Sequence, residues 1–139
     1  MHSEHLIVYA DDDLDDIGMF QDYFDNLGKI KILPASDGLD ALQILDRLKS
    51  EKMKPCLIIL DINMPLLNGK DTLLKIKSDE ELKNVPVVLF STSKNPADKT
   101  FAESNDVDFI SKPLSYKEIE LIANQFIDRC NFEINKLSA

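Results

Sequence analysis

The stretch "CLIILD", residues 56–61, sets five apolar residues in a row and stops on an acid. A strand with one wet face alternates apolar and polar residues, whereas an unbroken run this short suits a strand covered on both faces, as in a parallel sheet. "LIVYA" (6–10) and "VVLF" (87–90) share this character, while "IKILPA" (30–35) and "VDFIS" (107–111) are more mixed and belong nearer an edge. Between the runs the period becomes helical. Leu14, Ile17, Phe20, Phe24 and Leu27 mark one face; Leu42, Leu45 and Leu48 a second; Ile119, Ile122, Phe126 and Cys130 another. Residues 70–77 supply a further helix, and residues 95–104 a weaker one carried by Ala97, Phe101 and Ala102. Asp37 is placed to cap the second helix, Ser115 with Glu118 forms a capping-box pattern before the last, and Gly28 follows the end of the first. The expectation is an α/β chain of (βα)5 type: a five-stranded parallel sheet with helices on both faces.

Composition sets the frame. The 139 residues suit one domain, residues 1–139, with a core at about 6–130 and a short C-terminal extension over 131–139. The apolar runs are too short to span a bilayer, and the N-terminus lacks a signal pattern, so a cytoplasmic location is expected, away from membranes. A net charge of −9, from 16 basic and 25 acidic residues, argues against direct nucleic-acid binding. Cys56 and Cys130 are read as two buried thiols rather than a disulfide framework.

In an open α/β sheet, ligands sit beyond the carboxyl ends of the strands where strand order reverses; for a flavodoxin-like order 2-1-3-4-5 this lies between the first and third strands. The first run ends in Asp11, Asp12 and Asp13, the third in Asp61, the fourth in Ser91, and the fifth in Lys112 and Pro113. Asp11, Asp12 and Asp61 therefore converge on one crevice, where their mutual repulsion calls for compensation. An all-oxygen set suits Mg²⁺, with Mn²⁺ as the alternative. Zinc lacks its Cys/His cluster, and His2 and His5 precede the first strand at its far end. Phosphoryl transfer needs a nucleophile, a metal and further groups that take up charge: Asp61 offers the first, Lys112 a point charge and Ser91 a hydroxyl. Asp13 is read as a helix cap, and Asp15, Asp16 and Asp22 as that helix's solvent side.

These segments together resemble the receiver domain of two-component response regulators. The matching stretches are "VYADDD", "LDINMPLLNG", "LFSTS" and "FISKP", in order and at strand ends. The resemblance implies a stand-alone receiver that accepts a phosphoryl group on Asp61 from a histidine kinase or histidine phosphotransfer protein in a Mg²⁺-dependent reaction. It implies a phosphorelay signalling protein rather than an enzyme, with self-catalysed phosphotransfer and autodephosphorylation. Asp12 and Asp61 would ligate the metal directly, Asp11 through water and Asn63 through its backbone carbonyl. Lys112 and Ser91 would bind the phosphate, and the Lys112–Pro113 peptide would be cis. Asn63 and Ser93 match positions that tune phosphate lifetime. Ser91 and Phe109 match the switch pair that links the site to a downstream protein at the fourth helix, fifth strand and fifth helix, and a phosphorylation-dependent dimer is open. Two departures stand out: "NDVDF" lacks the glycine often found there, and Phe109 lacks a tyrosine hydroxyl.

Two rival readings differ in class. A Mg²⁺-dependent phosphohydrolase of the haloacid-dehalogenase type also uses an aspartate nucleophile with Lys and Ser, but it carries DxD on its first strand, and here Asn63 stands two residues after Asp61. An interaction module that has lost phosphate control would not need Asp12, Asp61, Ser91 and Lys112 together.

Overall fold

The computed structural model describes residues 5–138, with side chains described over 5–130. Five strands and five helices alternate: β1 (His5–Ala10), α1 (Leu14–Leu27), β2 (Ile30–Ala35), α2 (Gly38–Ser50), β3 (Leu57–Leu60), α3 (Gly69–Lys77), β4 (Val87–Ser91), α4 (Pro96–Ser104), β5 (Asp108–Ser111) and α5 (Ile119–Ser138). The strands are parallel in the order β2-β1-β3-β4-β5, as expected. The two mixed runs form the edges.

Strand alternation divides the core between two faces. Ile7, Tyr9, Leu57, Ile59, Val88 and Phe90 point to one side, where Ile17, Phe20 and Phe24 of α1 and Ile122, Ala123 and Phe126 of α5 cover them. Tyr9, Phe20, Phe90 and Phe126 meet there with ring centroids 5.3–6.1 Å apart in tilted or edge-on pairs, geometry that adds to the burial itself. Leu6, Val8, Ala10, Ile58, Leu60 and Leu89 face the other side, under Leu45 and Leu48 of α2, Leu73 and Ile76 of α3, and Ala102 of α4. The central strands are thus buried on both faces, which is why they carry no polar alternation.

Helix ends follow local chemistry. Asp13 caps α1, accepting from the Asp15 and Asp16 N–H groups, and Asp37 caps α2 through the Asp40 N–H. Gly28 closes α1 at φ 76°, a left-handed conformation that only glycine adopts without steric cost. Ser115 accepts from the Lys117 N–H and opens a 3₁₀ turn, Tyr116–Glu118, before α5. The expected extension past residue 130 is backbone helix of α5 to Ser138. His5 belongs to β1, paired with Ile30, rather than preceding it; His2 lies outside the described residues. No helix among the described residues is long and apolar enough to cross a membrane.

The cysteines correct the sequence reading. Cys56 at the entry to β3 and Cys130 on α5 form a disulfide, their Cα atoms 4.9 Å apart. Both side chains belong to the same apolar layer, where α5 lies over the start of β3, so packing brings together two residues 74 apart in sequence.

Candidate functional site

Backbone pairing continues past the strand ends and fixes where the functional side chains start. The Asp11 N–H donates to the Ala35 carbonyl at 3.0 Å, the Asp61 N–H to the Ala10 carbonyl at 3.0 Å, and the Lys112 N–H to the Ser91 carbonyl at 2.9 Å. Asp11 is fully buried, Asp61 is 8% exposed, and Asp12 is open to solvent. One carboxylate oxygen from each of these three acids lies within 4.8 Å of the others. Lys112 reaches into the cluster from beyond β5: its Nζ stands 2.7 Å from Asp11 Oδ2, 2.9 Å from Asp16 Oδ2 and 3.3 Å from Asp61 Oδ2. The Asp13 N–H donates to Asp11 Oδ1 at 2.9 Å, the Tyr9 hydroxyl to Asp11 Oδ2 at 3.4 Å, and the Ile62 N–H to Asp61 Oδ1 at 2.8 Å.

The charges do not balance. Three carboxylates contact one ammonium, and a fourth, that of Asp12, lies within 4.8 Å of Asp11 and Asp61. Burial pushes the Asp11 carboxyl up to about 6, against the opposing pull of Lys112 and the Asp13 N–H, and neighbouring Asp61 pushes the same way. Burial alone would weaken the charge on Lys112, but its bonds to Asp11 and Asp16 and the nearby Asp61 outweigh it and hold the ammonium above its ordinary value. Burial, reinforced by the same acids, drives the Tyr9 phenol far up, so it stays a neutral donor. An excess of oxygen-only ligands with one side open at Asp12 is the donor set that a hard divalent cation requires. Asp11, Asp12 and Asp61 fit such an ion.

Residues 7–124 match the family model described as response regulator receiver domain. The chain belongs to the response regulator receiver domain family. Among its relatives, this receiver is 32% identical over 129 residues to two-component response regulator ARR17 of Arabidopsis thaliana, spanning 86% of this chain and 83% of the relative. The phosphorylated cyanobacterial phytochrome response regulator RcpA superposes with a TM-score of 0.81 at 29% identity, covering 89% of this chain and 91% of that one. A Mn²⁺-bound form of response regulator Rcp1 gives 0.74 at 26%, covering 86% and 88%. Other curated relatives are longer, and the receiver spans between 23% and 43% of their length.

The remaining expected residues lie on β4, on β5 and on the loops after β3 and β4. Ser91, 1% exposed, ends β4 beside β3; its Oγ accepts from the Ser93 N–H at 3.1 Å. Asn63 is exposed two residues beyond Asp61, and Ser93 is half-buried. Phe109 is half-buried and packs against the α2–α3–α4 layer. The Lys112–Pro113 peptide differs from expectation: no peptide bond among the described residues is cis. An X-Pro bond favours trans by about 0.5–1 kcal/mol, and Lys112 already reaches Asp11, Asp16 and Asp61 from the trans form.

Three contributors were not legible in the sequence. Asp16, read as solvent-facing, turns toward Lys112; the signal was its place in the first turn of α1, one helical step from Asp15, which stays exposed. Tyr9 carries a hydroxyl inside an otherwise apolar run, a hint of a buried acceptor. Gly69 opens α3 against the backbone of Asp61: a Cβ there would stand 2.0 Å from the Asp61 carbonyl oxygen. That close approach seats the β3–α3 loop, and the Gly69 N–H donates to the Ile62 carbonyl at 2.8 Å.

Proposed function

We propose that this receiver accepts a phosphoryl group on Asp61 from a histidine kinase or histidine phosphotransfer protein and thereby switches a protein-binding face. The observation that supports this best is Lys112 Nζ held between Asp11 and Asp61 at the edge of the three-acid cluster. A carboxylate with an adjacent fixed cation and acids able to hold a metal is arranged for phosphoryl transfer, in which positioning and charge stabilisation supply most of the catalysis. The phosphorus–nitrogen bond of the donor phosphohistidine breaks as a phosphorus–oxygen bond to the Asp61 carboxylate forms, and the departing imidazole takes up a proton.

Mg²⁺, or Mn²⁺ in its place, would be held by Asp11, Asp12 and Asp61 with the Asn63 backbone carbonyl, and when bound neutralises charge on the phosphoryl oxygens. Lys112 stays ammonium throughout and pairs with the phosphoryl group, while Ser91 donates its hydroxyl to it. Autodephosphorylation reverses the modification: water attacks phosphorus, the phosphorus–oxygen bond to Asp61 breaks, and inorganic phosphate leaves. Asn63 and Ser93, each two residues beyond a strand-end group of the site, tune the lifetime of that bond. The added charge biases Ser91 and Phe109 toward a second arrangement and alters the face formed by α4, β5 and α5, where the downstream protein binds.

The test is incubation with a small-molecule phosphodonor and Mg²⁺, read as base-labile, hydroxylamine-sensitive label. Base-labile, acylphosphate-type label on the wild type and none on Asp61→Asn is expected; equal labelling of the two proteins overturns the reading.

A further inference from the structure

Beside the acidic cluster, but separate from it, a second polar network joins α3 to α4. Asp98 in the first turn of α4 is a carboxylate only 7% exposed. Its Oδ1 takes the Lys70 ammonium at 2.6 Å, and its Oδ2 accepts the Ser93 hydroxyl. Ser93 Oγ in turn accepts from the Asn95 N–H at 3.1 Å, and the Ser93 N–H donates to Ser91 Oγ. Lys70 follows Gly69, the residue seated on the Asp61 carbonyl, and its Nζ lies 5.2 Å above the Phe101 ring of α4. The path therefore starts at the backbone of Asp61 and returns through Lys70, Asp98 and Ser93 to the hydroxyl of Ser91.

Every member is engaged. The Lys70 and Ser93 partners hold the Asp98 carboxyl below its ordinary range despite its burial. A half-buried ion pair with hydrogen bonds to both carboxylate oxygens is costly to break from one side, because the remaining charge loses its partner. The β4–α4 loop, which carries Ser93, is thus tied to α3 in one arrangement, and within it Ser91 Oγ is bound to the Ser93 N–H.

We propose that Asp98, bridging Lys70 and Ser93, is a positioning residue that holds the β4–α4 loop in its resting arrangement and so opposes the movement of Ser91 toward a phosphoryl group on Asp61. This rests on the phosphorylation reading of Asp61 and Ser91. The clasp is a set-point: its strength fixes how much phosphoryl-group interaction is needed to convert the switch.

Beryllofluoride, a small phosphoryl mimic, serves as the probe with the full chain in Mg²⁺. Lys70→Met removes the charge and keeps the apolar stem over Phe101; Asp98→Asn keeps the shape and an acceptor for Ser93. Lys83→Met, which removes an exposed partner of Glu80, is the control. Both clasp variants are expected to bind beryllofluoride at least about five-fold more tightly than the wild type, the lower range of ordinary allosteric coupling. Without ligand, their Ser93 and Asn95 amides exchange faster and shift toward the wild-type beryllofluoride-bound positions. A merely structural role would loosen the fold and weaken binding, so tightening separates the two. Wild-type-like binding by folded clasp variants, or weaker binding, overturns the clasp alone. A wild type that takes up no beryllofluoride overturns the phosphorylation reading, and the proposal with it.

Discussion

Replacing Asp11 with Asn removes a buried carboxylate that the fold does not fully compensate in the absence of a divalent ion. Its carboxyl is raised from 3.8 to about 6, chiefly by burial. The sign follows from linkage. Below about pH 4 the group is protonated in folded and unfolded chains alike; between about pH 4 and 6 the unfolded chain releases the proton first; above about pH 6 the folded chain carries the full penalty. Two pH units correspond to about 3 kcal/mol, on the order of 10 °C in melting temperature for a chain of this size. Thermal melts with a chelator present, from about pH 4 to 7.5, should show Asp11→Asn gaining on the wild type as pH rises. A constant cost of the amide would displace the whole difference curve, so the change across the range is the readout. A difference independent of pH, or one that favours the wild type increasingly toward neutral pH, refutes the electrostatic account of the site.

Mg²⁺ titration in the same melts should raise the wild-type melting temperature, with about 2.7 kcal/mol of stabilisation at one hundred times the dissociation constant, and a much smaller rise in Asp12→Ala; equal shifts would place the ion elsewhere. Gly69→Ala sets a methyl group against the Asp61 carbonyl oxygen; a loss of about 1–3 kcal/mol in urea unfolding, with slower phosphate uptake, is expected, and wild-type stability would show that the α3 start is free to yield. Reducing the Cys56–Cys130 bond should destabilise the protein by about 4 kcal/mol, from the closure entropy of a loop this long; identical melts with and without reductant would contradict that linkage.

What the sequence made legible was governed by position along a strand. Asp11, Asp61, Ser91 and Lys112 were found because each terminates an apolar run, and strand order then decides which ends meet. The runs themselves separated centre from edge, the continuous ones becoming the central strands and the mixed ones the edges, while the full order came from the flavodoxin-like pattern. Pairings that depend on which way a side chain leaves a helix were not legible. Asp15 and Asp16 look alike in sequence, yet one helical step separates an exposed acid from a partner of Lys112. Lys70 and Asp98 look like ordinary surface charges until α3 and α4 are set side by side. Cys56 and Cys130 looked apolar because they are: both sit in the core, and only the packing of α5 across β3 brings their sulfurs together.

The most direct test of the account is to locate the phosphoryl group. After treatment with a phosphodonor and Mg²⁺, borohydride reduction converts an acylphosphate to an alcohol, and peptide mapping then identifies the modified residue. Reduction is expected at Asp61 alone, dependent on Mg²⁺ and lost in Lys112→Ala. Modification at another acid of the cluster, or none at Asp61 under conditions that phosphorylate a reference receiver, would contradict it.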